Sequence, residues 1–121
     1  MTASAAQNAG AALPTGTVTF LFTDIEGSTR LAQQTSPDEF RSLIETHNGL
    51  VDTAIVGNGG TVIRTEGDSF FAVFASAPDT ISAAVAAQRA LASHHWPDDR
   101  VIRVRMGIHT GEGRLGGADY V

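Results

Sequence analysis

The chain has 121 residues, which is room for one domain and not for a second with its own core. Its 42% hydrophobic and 17% charged residues are a globular composition, and the absence of cysteine excludes disulfides, thiolate metal sites and a cysteine nucleophile. A formal net charge of −5, with every basic residue an arginine, argues against duplex nucleic acid or an anionic membrane as the main partner, since both select a basic face.

Met1 to Gly16 is small, uncharged and without periodicity, and reads as a flexible leader that ends at the Pro14–Gly16 turn. It lacks the basic start and apolar middle of a signal peptide, and no apolar run approaches a membrane span, so the expected location is cytoplasmic. Thr17–Thr23 then alternates Val18, Phe20 and Phe22 with Thr17, Thr19 and Leu21. Apolar residues on both faces predict a central strand, covered on at least one side. The loop Asp24-Ile25-Glu26-Gly27-Ser28-Thr29 follows, with a short helical turn expected over Arg30–Gln34.

Ser36-Pro37-Asp38-Glu39 has the form of a capping box with proline at the first helical position. Phe40, Leu43, Ile44, His47, Val51, Ala54 and Ile55 recur at helical spacing, which predicts one apolar stripe on a helix ending near Gly57. Thr61–Thr65 and Phe70–Phe74 read as strands joined by the tight turn Glu66-Gly67-Asp68-Ser69. Pro78-Asp79 opens a second helix, whose expected stripe is Ile81, Ala84, Val85, Gln88, Leu91 and Ala92. Trp96 reads as a packing anchor after it. Val101–His109 alternates as a strand with Arg103 and Arg105 on a solvated face, and a Gly-rich remainder follows.

The resulting order, βαββαβ, predicts an α+β ferredoxin-like sandwich: an antiparallel sheet with both helices on one face and the first and third strands adjacent at its centre. That topology carries a chemical consequence. Asp24 ends the first strand and Asp68 opens the third, so the two carboxylates should converge at one edge of the sheet. Each aspartate alone is also what a cap or a hairpin turn requires. Together they form a hard, oxygen-rich pair suited to Mg²⁺ or Mn²⁺, and Glu26, Gly27, Ser28 and Thr29 add backbone N–H groups and hydroxyls where phosphate oxygens would lie.

Val18–Leu31 (VTFLFTDIEGSTRL), Val62–Phe74 (VIRTEGDSFFAVF) and Val104–Glu112 (VRMGIHTGE) resemble the catalytic domain of the class III adenylyl and guanylyl (nucleotidyl) cyclases, over about Thr17–Val121. The resemblance implies conversion of ATP or GTP to a 3′,5′-cyclic monophosphate and pyrophosphate, with two Mg²⁺ or Mn²⁺ ions. It implies Asp24 and Asp68 as metal-binding aspartates, Ile25 as a backbone carbonyl ligand, and Glu26–Thr29 as the phosphate loop. It also implies a homodimer, or a heterodimer with a complete cyclase protomer, with active sites at the interface. Two departures stand out. Arg64 occupies the place of a base-reading lysine, and arginine is not its equivalent in a hydrogen-bonding pocket. Asp119 falls at the second base-reading position, where a carboxylate accepting from the adenine amino group favours ATP. The Asn and Arg that the family uses on the ribose and the transition state are expected after Tyr120-Val121 and are not among these residues, so the sequence reads as a cyclase domain cut short and inactive alone. The alternatives are a non-catalytic nucleotide-binding or dimerisation module of the same family, and an unrelated binder of single-stranded RNA. The acidic charge and single tyrosine speak against the last.

Overall fold

The computed structural model describes residues 13–116 and 119–120. Strand β1 (Gly16–Ile25) leads into a short helix α1 (Ser28–Gln34) and a long helix α2 (Pro37–Gly57). The hairpin β2 (Thr61–Glu66) and β3 (Ser69–Phe74) follows, then helix α3 (Ala77–Ser93), a 3₁₀ turn at Pro97–Asp99 and strand β4 (Val104–Gly113). Two short strands, β5 (Leu115–Gly116) and β6 (Asp119–Tyr120), pair with each other. The main sheet has the order β2-β3-β1-β4 with every neighbour antiparallel, which is the predicted ferredoxin-like arrangement.

Local signals explain the helix starts. Ser36 and Glu39 form a reciprocal capping box, with the Ser36 hydroxyl accepting from the Glu39 amide and the Glu39 carboxylate accepting from the Ser36 amide. Those bonds hold the Glu39 carboxyl below its usual pKa. Ser76 caps α3 by the hydroxyl bond alone, accepting from the Asp79 amide. On α2 the predicted stripe is the buried one, with Leu43, His47, Val51, Ala54 and Ile55 inside. On α3 it is displaced by one residue: Thr80, Ala83, Ala87 and Leu91 are buried, whereas Ile81 and Val85 are exposed. Nearly every position of this helix is small or apolar, so bulk misleads. Close packing of α3 against α2 and the sheet selects the alanine edge.

The strand alternation divides the sheet cleanly. Thr19, Leu21, Thr23 and Ile25 of β1 sit beside Phe70, Ala72 and Phe74 of β3 on the helix-covered face, where the core lies. Phe20 and Phe22 occupy the opposite face. There Phe71 stacks between them at centroid distances of 5.4 and 4.8 Å. Tyr120 closes on Phe20 edge-on at 5.0 Å, and its hydroxyl donates to the Pro14 carbonyl at 2.6 Å. This covers the Gly16 end of the open face. Gly113 permits it, because a Cβ there would lie 2.8 Å from Val18 and 2.9 Å from the Tyr120 ring. Trp96 is buried as expected, its indole N–H donating to the Leu91 carbonyl at 3.0 Å.

Candidate active site

β1 runs on through Asp24 to Ile25, further than its composition suggests, so Asp24 is a strand residue. It follows Phe20 and Phe22 on the open face, at the end that Tyr120 leaves uncovered. Asp68 occupies the two-residue turn between β2 and β3, where Gly67 takes a left-handed φ of 58°. β3 is antiparallel to β1, so this turn returns to the Ile25 end of β1. Contact is direct: the Ile25 amide donates to Asp68 Oδ2 at 2.7 Å. The two aspartates therefore converge as the topology required, joined through the backbone of the residue between Asp24 and the loop.

Gly27, with a left-handed φ of 71°, turns the chain from β1 into α1. Ser28 and Thr29 form the first turn of α1, so the helix starts two residues earlier than Arg30. The Glu26 amide donates to the Arg103 carbonyl at 2.8 Å, which ties this loop to the approach of β4.

Arg105 is the residue that sequence reasoning missed. The alternation of β4 places it on a solvated face with Arg103 and gives it no partner. The register of β1 and β4 instead sets Arg105 directly opposite Asp24. Its guanidinium grips the carboxylate at both oxygens, Nε to Oδ1 at 2.8 Å and Nη2 to Oδ2 at 3.0 Å. Hydrogen bonding to Asp24 and the charge of Asp24, then of Glu26 and Asp68, push the Arg105 pKa further up. A carboxylate-rich edge thus carries an internal cation. The signal was present in the alternation of β4 but needed the cross-strand register to be read.

Arg64 lies elsewhere on the same face. A bulge between Val62 and Arg64 shifts the β2–β3 register, so that Arg64 stands opposite Phe71. Without that extra residue Arg64 would face Phe70 and the core. The bulge aims it outward, 4.5 Å above the Phe71 ring. The Phe71–Phe22 stack separates it from Asp24. Asp119 pairs with Gly116 in the β5–β6 hairpin, and its side chain lies outside the described residues, as do residues 1–12 of the expected leader.

Beside Asp24 a cleft of about 420 Å³ is lined by Phe22, Asp24, Ser69, Phe70, Arg105 and Met106 among others. Among the described residues no three His, Cys, Asp or Glu side chains stand close enough to enclose a metal. Two carboxylates at an open edge nevertheless fit Mg²⁺ or Mn²⁺, since Mg²⁺ is held by one or two carboxylates and completes its shell with water and substrate phosphates. Each carboxylate has further lone pairs beyond the bonds described, so the donors remain usable.

A family model described as the adenylate and guanylate cyclase catalytic domain matches residues 11–117. The chain belongs to this family. Among its relatives is an uncharacterized protein of Mycobacterium tuberculosis, 41% identical over 110 residues that cover 89% of this chain and 36% of the relative. An adenylate cyclase of Podospora anserina is 35% identical over 118 residues, covering 82% of this chain and 6% of that protein. The chain thus spans about a third of the mycobacterial relative and a small part of the fungal one. An adenylate cyclase structure from Trypanosoma brucei, described as monomeric, superposes with a TM-score of 0.77 at 26% identity, over 89% of this chain and 62% of that one. The guanylate cyclase domain of RhGC from Catenaria anguillulae, in complex with GTP, gives 0.76 at 19% identity, over 87% and 62%, and shares the fold. No helix among the described residues of this cyclase-family chain is long and apolar enough to cross a membrane.

Proposed function

We propose that this chain supplies the metal-binding half of a purine nucleotide cyclase site that forms cyclic AMP and pyrophosphate from ATP, working as a dimer or with a complete cyclase protomer. The observation that carries this is the bond from the Ile25 amide to Asp68, which brings the second carboxylate beside Asp24 at an open edge. Asp24 and Asp68 are the side chains that would hold Mg²⁺ or Mn²⁺, with the Ile25 carbonyl as a backbone donor. When bound, the two ions acidify the ribose 3′-hydroxyl and offset the charge of the triphosphate.

The other residues divide the remaining work. Glu26, Gly27, Ser28 and Thr29 form the turn into α1, where backbone N–H groups and hydroxyls meet phosphate oxygens. Arg105 holds the Asp24 carboxylate in place beside the cleft. With Asp24 holding a metal, the planar fork of Arg105 would be able to pair with a phosphate at the same edge. In the reaction the 3′-oxygen bonds to the α-phosphorus as the bond to the bridging oxygen breaks, releasing pyrophosphate. Arg64 and Asp119 are proposed to read the base. The Phe71–Phe22 stack lies between Arg64 and Asp24, a separation suited to a base and a triphosphate held by different protomers.

The test is calorimetric titration of an unreactive ATP analogue with Mn²⁺ into this chain and into Asp24→Asn. Binding that needs both the metal and Asp24 is expected. Equal binding by the two proteins, or binding indifferent to Mn²⁺, would overturn the proposal. A second reading, a non-catalytic nucleotide-binding or dimerisation module, has one observation in its favour: the two-point ion pair in which Arg105 already satisfies Asp24. On that reading the arginine stands where a metal would, and Asp24→Asn would leave Mn²⁺ affinity unchanged rather than lower it.

A further inference from the structure

His47 is fully buried on α2, yet its two ring nitrogens are treated differently. Nδ1 lies 2.7 Å from Oδ1 of Asn48, while Nε2 has no hydrogen-bond partner. An amide oxygen can only accept, so Nδ1 carries the proton. This fixes the Asn48 amide in one orientation, with its NH₂ turned outward. That NH₂ donates to the Gly67 carbonyl at 3.1 Å, across nineteen positions of sequence. Gly67 is the left-handed residue directly before Asp68. The hairpin turn is therefore held at two points. Asn48 grips its backbone from α2, and the Ile25 amide grips the Asp68 carboxylate from β1.

We propose that His47 and Asn48 are positioning residues for Asp68, a relay in which the buried imidazole orients the Asn48 amide and the amide sets the turn that presents the carboxylate to a divalent cation. The inference rests on the metal reading given above. A two-residue glycine turn at the end of a hairpin has few contacts of its own, and a carboxylate loosened by a fraction of an ångström is a weaker member of a shared site. His47 is also kept in the required neutral form, because burial lowers its pKa more than its bond to Asn48 and the charge of Asp68 raise it.

Free Mn²⁺ counted by electron paramagnetic resonance, with no nucleotide present, tests the relay on wild type, Asn48→Ala and Asp68→Asn. Amide hydrogen exchange at Ile25 provides the second readout. Asn48 is half-buried at the surface, so its substitution leaves the fold in place, and a thermal melt checks this. Asn48→Ala is expected to weaken Mn²⁺ binding about tenfold, the usual effect of removing an outer hydrogen-bond partner, and to speed Ile25 exchange with the melt nearly unmoved. His47→Leu should do the same, and His47→Asn should recover part of the loss by restoring an amide donor near the Nδ1 position. Unchanged Mn²⁺ affinity and Ile25 exchange in Asn48→Ala, beside an Asp68→Asn that no longer binds, would overturn the relay alone. An Asp68→Asn that still binds like wild type would overturn the metal reading, and the role given to His47 and Asn48 with it.

Discussion

The two faces of β1 put adjacent residues to opposite uses. Leu21, Thr23 and Ile25 point into the helix-covered core, and Phe22 and Asp24 between them point to the open face. The first set is closed off from water and surrounded by α2, α3 and β3. The second set carries an aromatic stack and a carboxylate gripped by arginine. A strand with period two can therefore bear stability and chemistry in alternate positions without compromise between them. The contrast predicts which substitutions unfold the protein and which disarm it.

The largest expected effect lies on the covered face. Phe74 is fully buried among Gly60, Ile55 and the sheet, and Phe74→Ala should cost about 3–5 kcal/mol in urea unfolding. Gly60→Ala approaches the same spot from the other side, since its Cβ would fall 2.5 Å from the Phe74 ring. A loss below about 1 kcal/mol for Phe74→Ala would mean that the core is looser than its burial implies.

On the open face the order of effects reverses. Asp24→Asn should weaken Mn²⁺-dependent binding of an ATP analogue by about a hundredfold, the scale of losing one of two charged ligands. Its stability should change by less than about 1 kcal/mol, because the pair with Arg105 is largely exposed, with side-chain accessibilities of 66% and 40%. An Asp24→Asn that unfolds as readily as Phe74→Ala would erase the distinction between the faces. Smaller still is Ser36→Ala, outside both faces, which removes one half of the α2 capping box and should cost about 1 kcal/mol with no change in binding.

Much of this division was legible in the sequence. The capping box, the α2 stripe, the hairpin around Asp68 and the strand order all followed from local spacing, and the meeting of Asp24 with Asp68 followed from the strand order. What was not legible depends on register or on close packing. Arg105 could be placed on a face but not opposite Asp24 until β1 and β4 were aligned residue by residue. Arg64 required knowing about the bulge beside it. The α3 stripe failed because a helix of alanines carries little contrast, and Thr80 proved a better guide to the buried side than Ile81. His47 was legible as a member of the α2 stripe, but spacing does not say that Nδ1 finds a partner and Nε2 none. Single-stranded RNA is bound by stacking on sheet aromatics, and the open face has the exposed Phe22 and the half-buried Phe71. The acidic edge beside them still opposes a polyanion.

His47 joins the two faces, since it is buried with the core and acts on the turn that serves the site. The smallest predicted effect follows from that position. Burial, as the leading cause, lowers its pKa in the folded protein, while Asn48 and Asp68 partly offset the shift. Between the lowered folded value and the ordinary unfolded value near 6.5, the unfolded chain binds the extra proton. Stability is therefore whole above about pH 6.5 and declines as pH falls through that window. Unfolding midpoints measured from pH 7.5 down to pH 5 should fall more steeply for wild type than for His47→Asn, which has no group to protonate there. Parallel profiles would mean that His47 titrates freely in the fold, and its Nδ1 proton would then say nothing about how Asn48 is held.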